Sequence, residues 1–278
     1  MLNLLRMNNR RIFRSKMFAI AFLVILVTSI ASAPVERALM KAVVGFAVSV
    51  ETESKSSESE SENTAALGDA LGNTEAAKVS EIIADPFVIT FLPLFILLLV
   101  VSFSYMDIEN GFIKNIAGQQ PKRSRVAVSK YLTIMLSNLV LMLTALIGQV
   151  ISKYIVGKVE IDAGAIPQAV YTFGVRWLLL LALSALLLFL TVGIGAKPLA
   201  LVTAVLAGTG FLGLIYLGID TAIQNMLHIQ NLSLVDYAPD QLLTQPGYEG
   251  PRAVIVGITF SVVFMLLTVL RADKTDVK

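Results

Sequence analysis

Apolar residues along the chain fall into six long runs separated by polar segments: Met17 to Ala33, Phe87 to Tyr105, Tyr131 to Ile151, Phe173 to Gly195, Leu199 to Ile219 and Ala253 to Leu270. At about 1.5 Å of rise per residue, each crosses a hydrocarbon layer of about 30 Å as a helix with modest tilt, the first when its flanking residues are included. The pattern predicts an all-α membrane protein with six transmembrane helices.

The polar segments are patterned too. In residues 1–16, Arg6, Arg10 and Arg14 form one helical stripe, while Leu2, Leu5, Ile12 and Phe13 lie largely on another side. That predicts a cytoplasmic helix resting in the membrane interface. The first run ends in Ala31-Ser32-Ala33, which resembles a signal-peptide cleavage site, but Pro34 is a poor residue to follow a cleaved bond, so an uncleaved span over 17–35 is expected.

Residues 36–85 form an acidic loop. Its centre, Glu51 to Glu62, is too rich in Ser and Glu to bury anything and is expected to be disordered, with weak helical patterns on either side. This tract either attracts cationic substrates or serves as a solvated tether. Residues 86–271 hold five further spans, and 272–278 form a short tail. Within 220–251, Ala222 to Ile229 and the stretch Tyr237-Ala-Pro-Asp-Gln-Leu-Leu predict two short helices lying in, or dipping into, the outer interface.

Composition agrees with a membrane location: 56% of residues are hydrophobic and 15% charged, against about 25% charged in an ordinary soluble domain. The distribution of basic residues sets the orientation. The N-terminus, the loop from Asp107 to Lys130, Lys197 and the tail hold fourteen of the 22 Lys and Arg residues. The alternate segments, though longer, hold the other eight, together with 16 of the 20 acids. Both termini and the Ser104–Tyr131 segment are therefore expected in the cytoplasm.

Several chemistries are excluded within the chain. There is no cysteine, and the single histidine, His228, rules out a multi-histidine zinc site. No G-x-x-x-x-G-K-[ST] or G-x-S-x-G occurs, so no nucleotide loop or serine-hydrolase elbow is expected, and catalytic, cofactor-binding and metal residues are all read as none. The central portions of the six runs carry no ionisable residue, where proton-driven transporters usually place one. Any uphill transport would then draw its energy from a partner. Nothing suggests nucleic acid as a partner.

Two local patterns remain. In the fifth run, Ala200, Ala204 and Gly208 form one small-residue stripe and Ala207, Gly210 and Gly213 another, which predicts close helix packing at Ala204, Gly208, Gly210 and Gly213. Between Ser104 and Tyr131, Ile108, Phe112 and Ile116 recur on one helical face with Ile113 beside them, over about 106–120. Gly118 and Pro121 end that helix, and Lys122, Arg123, Arg125 and Lys130 follow it. By itself this segment reads equally as an ordinary positive-inside loop.

The whole layout resembles the permease subunit of the type-2 class of ABC exporters. The specific match is local: Glu109, Gly111, Lys114, Gly118, Ser124-Arg125 and Ser129-Lys130 stand where that family has an acidic residue, a glycine, a basic residue and Ser-Arg and Ser-Lys pairs before the third span. In the family this is the coupling helix that inserts into a cleft of the ATP-binding subunit. The resemblance implies docking of such a subunit through Ile108, Glu109, Gly111, Phe112, Ile113, Lys114, Ile116 and Arg125. It also implies ATP and Mg held by that partner, a second permease copy or relative, contact with membrane lipid, and a bacterial plasma membrane. The chain itself would not be an enzyme. The long first loop resembles permeases that handle peptides, including bacteriocin export and immunity; similar permeases handle lipid-linked sugars and drugs. The other classes to weigh are a membrane-anchored receptor or structural protein using its acidic loop for binding, and an intramembrane enzyme, for which the catalytic polar groups are missing.

Overall fold

The computed structural model describes residues 2–54, 77–78, 86–109, 124–156, 159–160, 166–227, 233–244 and 250–274. Helix α1 (Leu2–Phe13) is followed by α2 (Lys16–Ser54), α3 (Pro86–Glu109), α4 (Ser124–Val156) and α5 (Ile166–Leu188), which runs on as a π-helical turn, Phe189–Ile194. Then come α6 (Lys197–Gly208), α7 (Leu212–Leu227), a 3-10 turn at Val235–Tyr237, α8 (Pro239–Thr244) and α9 (Pro251–Lys274). Ala77–Lys78 and Val159–Glu160 form a two-residue parallel pairing, the one departure from an all-helical fold among the described residues.

Four helices are long and apolar enough to cross a membrane: Lys16–Ala38, Ser124–Val156, Ile166–Ile194 and Pro251–Ala272. A fifth crossing is possible if Lys197–Gly208 and Leu212–Asn225 act as one broken span, since they meet at 89°. In α3 the apolar stretch Phe91–Met106 is shorter. The chain is thus a multi-pass, apolar helical protein with four or five candidate spans among the described residues, where six runs were expected. Its lipid-like exterior includes Leu23, Ile147, Ile255 and Leu266, each more than half exposed.

Ser15 separates α1 from α2. Its hydroxyl accepts from the Phe18 amide at 3.1 Å, a cap three residues into the new helix, and donates to the Ile12 carbonyl at 2.8 Å. The first span was expected to end near Val35, but α2 continues through Pro34 as far as Ser54. Proline removes the amide that would bond the carbonyl four residues back, Ile30. That carbonyl instead accepts from the Ser152 hydroxyl of α4 at 2.7 Å, and the same hydroxyl accepts from the Ala33 amide at 3.1 Å. The kink is satisfied across helices, so the helix need not stop. Beside it, a Cβ on Gly148 would sit 2.7 Å from Ser29 Cβ, so α2 and α4 meet through small residues.

The core is an apolar cluster to which α1, α2, α3, α4, α5, α6, α8 and α9 all contribute, including Ile25, Leu97, Val100, Ile134, Leu141, Leu183 and Leu187. Inside it one polar pair joins α4 to α5: Asn138 Nδ2 donates to Ser184 Oγ at 2.9 Å, and that hydroxyl donates to the Leu180 carbonyl at 2.7 Å. Helix α9 packs most extensively on α5, where a Cβ on Gly257 would meet Leu178 Cγ at 2.8 Å. The turn at Gly195 has φ +79°, and it leads α6 chiefly onto α3, with a smaller contact on α5.

Candidate functional site

Of the residues expected to dock a partner, Glu109, at the end of α3, and Arg125, in the first turn of α4, are described with their side chains. Ile108 belongs to the last turn of α3, and its side chain is outside the described residues. Gly111, Phe112, Ile113, Lys114 and Ile116 also lie outside them. What the structure does show is how the two ends of this segment are held.

At the α3 end, the Glu109 carboxylate pairs with the Lys197 ammonium at the start of α6. The same ammonium stands 4.7 Å from the centre of the Tyr105 ring, one turn back along α3. At the α4 end, Arg125 is exposed, but Lys130, expected as one more member of a solvated basic cluster, is 1% exposed. Its ammonium donates to the Ser104 carbonyl at 2.9 Å, so α4 holds the last turns of α3 directly. A buried ammonium without such an acceptor would be costly, which fixes the register of the two helices here. Ser129, also buried, accepts from Asn8 Nδ2 of α1 at 3.0 Å. Four helices, α1, α3, α4 and α6, are thereby joined by polar contacts at one end of the bundle. Sequence reading singled out none of these pairs. The available signal was the Ser129-Lys130 step itself, a polar doublet set directly against the start of an apolar run.

The small residues of the fifth run separate into three environments. Ala204 and Gly208 are buried, and a Cβ on Gly208 would lie 2.5 Å from Leu94 Cα, so α6 touches the α3 backbone there. Gly210 has φ +76°, a conformation glycine adopts without penalty, and it sits where the chain turns by 89° into α7. A Cβ on Gly213 would fall 2.6 Å from Gln241 Oε1. The expected single span is thus two helices, because Gly210 turns the backbone and Gly213 leaves room for Gln241 beside the bend.

Gln241 belongs to α8, the second of the short helices expected in the last loop. Residues 238–243 are all buried, so this element is set into the bundle, against α5 above all, and does not lie on it. Its polar groups are satisfied locally. Gln241 Nε2 donates to the Gly210 carbonyl at 3.1 Å and to Asp240 Oδ2 at 2.9 Å, and the Tyr216 hydroxyl of α7 donates to Asp240 Oδ1 at 3.3 Å. Burial pushes the Asp240 carboxyl above the usual carboxylate range, against the opposing pull of the Gln241 donor. The approach to α8 is fixed by Asp220, buried midway along α7, whose carboxylate accepts from the Leu234 amide at 2.8 Å. The first expected outer helix is not separate: Ala222 to Leu227 continue α7, and His228 lies outside the described residues. Among the described residues no group of three His, Cys, Asp or Glu side chains could hold a metal ion.

The model of the family described as "Protein of unknown function (DUF2705)" matches residues 39–278. The chain belongs to that family. No curated protein matches the chain. The DUF2705 match takes in α3 through α9, and with them the Lys130–Ser104 contact, the Glu109–Lys197 pair and the inset α8. It leaves out α1 and the whole of the first candidate span, Lys16–Ala38, so Asn8 and Ser129 join a segment outside the DUF2705 match to one inside it.

Proposed function

We propose that the chain is the transmembrane permease subunit of an ATP-driven ABC exporter, working as a homo- or heterodimer in the plasma membrane with both termini in the cytoplasm. A separate ATP-binding subunit would hold ATP and Mg and dock on the segment from Ile108 to Ile116. The cargo is a peptide or another amphipathic molecule. In this reading α2, α3, α4, α5 with its π-helical turn, the broken pair α6–α7, and α9 are the six spans.

The observation that carries the reading is the convergence of polar contacts at the base of the 110–123 segment. A push on that segment acts on the ends of α3 and α4, which are tied to each other through Lys130 and Ser104, to α1 through Asn8 and to α6 through Lys197. Helix ends joined in this way move as a body, which is what transmission of force from a partner to a set of spans needs. The apolar character of the spans supports a greasy cargo over a small ion.

The test has two parts. The chain should co-purify with an ATP-binding subunit encoded beside it. In that complex Phe112→Asp should abolish substrate-stimulated ATP hydrolysis while membrane insertion stays intact. Hydrolysis that responds to substrate as in the wild type would remove the segment from the mechanism.

A further inference from the structure

A cleft with about 50 Å³ of room opens among α3, α4, α5 and α8, at the opposite end of the bundle from Lys130. Gln149, on its wall, is nineteen residues along α4 from Lys130, about 28 Å at 1.5 Å per residue. That is close to a hydrocarbon thickness, which puts Lys130 at one interface and the cleft at the other.

The lining is graded. Gln149 and Arg176 stand at the interfacial level, while Met142, two turns deeper on α4, and Leu180, one turn deeper on α5, are apolar and buried. Leu243 of the inset α8 and Pro93 of α3 close the sides. Gln149 is 3% exposed, yet its Nε2 has no acceptor among the described residues. A buried amide N–H without an acceptor costs about 1–3 kcal/mol, so an acceptor supplied from outside would relieve a standing penalty. Both polar groups on the wall present N–H donors, and the space beyond them is apolar. The complementary molecule has an acceptor head and an apolar tail.

Size narrows the head. On the same measure one water needs about 10–15 Å³, so the cleft has room for only a few water-sized groups and takes a carboxylate and the first carbons of a chain more readily than a phosphodiester with its glycerol. We infer that this cleft binds the carboxylate end of a single-chain amphiphile, its head at Gln149 and Arg176 and its tail running toward Met142 and Leu180. The inference stands whether or not the chain is a permease.

Trp177, the sole tryptophan, follows Arg176 on α5 and reports on the cleft. The full chain in detergent is titrated with a dibrominated stearic acid, with its methyl ester, and with a dibrominated phosphatidylglycerol, while Trp177 fluorescence is followed. The acid should quench saturably, and the ester and the phospholipid should show only non-saturable partitioning. Gln149→Leu should weaken the acid about tenfold. Met142→Phe, which fills the deep end and leaves the donors in place, should do the same, and it decides the matter if Gln149→Leu is not monodisperse. Absent or non-saturable quenching by the acid, equal saturable quenching by the ester, saturable quenching by the phospholipid alone, or unchanged affinity in the well-behaved variants would each overturn the assignment.

Discussion

The hydroxyl of Ser152 donates at 2.7 Å to the carbonyl of Ile30, the group that Pro34 leaves without its helical partner. One side chain of α4 thus repairs the backbone of α2, and it does so from a fully buried position. Ser152→Ala should lower stability in detergent by about 0.5–2 kcal/mol, read from the thermal unfolding midpoint. In a Pro34→Ala background residue 34 regains an amide for Ile30, so the same change should cost much less. Equal costs in both backgrounds would show that the hydroxyl is not satisfying that carbonyl.

Glycine 208 and glycine 218 make a matched pair of probes. A methyl group at Gly208 would press on the Leu94 backbone, 2.5 Å from Cα and 2.9 Å from N, and no rotamer change relieves a backbone contact. Gly208→Ala should cost about 1–3 kcal/mol by forcing α6 off α3. At Gly218 nothing lies within 4 Å of the added carbon, and alanine should be neutral or stabilise α7 by up to about 1 kcal/mol. Comparable midpoints for the two variants would contradict the close approach of α6 to α3.

Asp240 gives the fold a pH dependence of definite sign. Its carboxyl is raised by burial, against the pull of hydrogen bonds that include those from Gln241 and Tyr216. The neutral acid therefore suits the folded state better than the carboxylate does. The contribution is full below the ordinary carboxylate value of 3.8 and is lost as pH rises through the elevated value. Unfolding midpoints measured from acid to neutral pH should fall across that window in the wild type, and Asp240→Asn should flatten this part of the curve. A slope unchanged by the substitution would assign it to another group.

Much of this architecture was legible as apolar run length. Helices α4 and α9 contain their runs, and α5 with its π-helical turn covers all but the last residue of its own, because a span must satisfy its own backbone and a helix does so without help from neighbours. What escaped depends on partners distant in sequence. Pro34 looked like the end of a helix, since the serine that rescues it is more than a hundred residues away. Lys130 looked solvated, because nothing near it in sequence shows that the Ser104 carbonyl lies within reach. The Leu199–Ile219 run looked straight, since hydropathy is blind to the φ of Gly210. The Asp240–Gln241 step was expected on a short helix at the outer interface, and its burial rests on the Gly210 carbonyl in the bend and on Tyr216 of α7. Gln149 is one polar residue near the end of an apolar run, and nothing near it in sequence marks it as an amide that finds no acceptor among the described residues.

The Glu109–Lys197 pair separates a structural from a transmitting role. Both side chains are substantially exposed, 53% and 34%, so the pair should contribute only about 0–1 kcal/mol, and Glu109→Lys or Lys197→Glu should barely move the unfolding midpoint. If the chain is a permease, the same pair is the link through which a push at the end of α3 reaches α6, and from there the bend at Gly210. Either single reversal should then reduce substrate-stimulated ATP hydrolysis several-fold in the assembled complex while basal hydrolysis holds. The double reversal should recover only part of the loss. It restores opposite charges between α3 and α6, but it sets a carboxylate over the Tyr105 ring, where Lys197 now makes a favourable contact. Recovery of stimulation in the double variant above both single variants, at unchanged midpoint, is the expected signature of transmission. Single variants that hydrolyse like the wild type would confine the pair to the surface and leave α6 outside the coupling path.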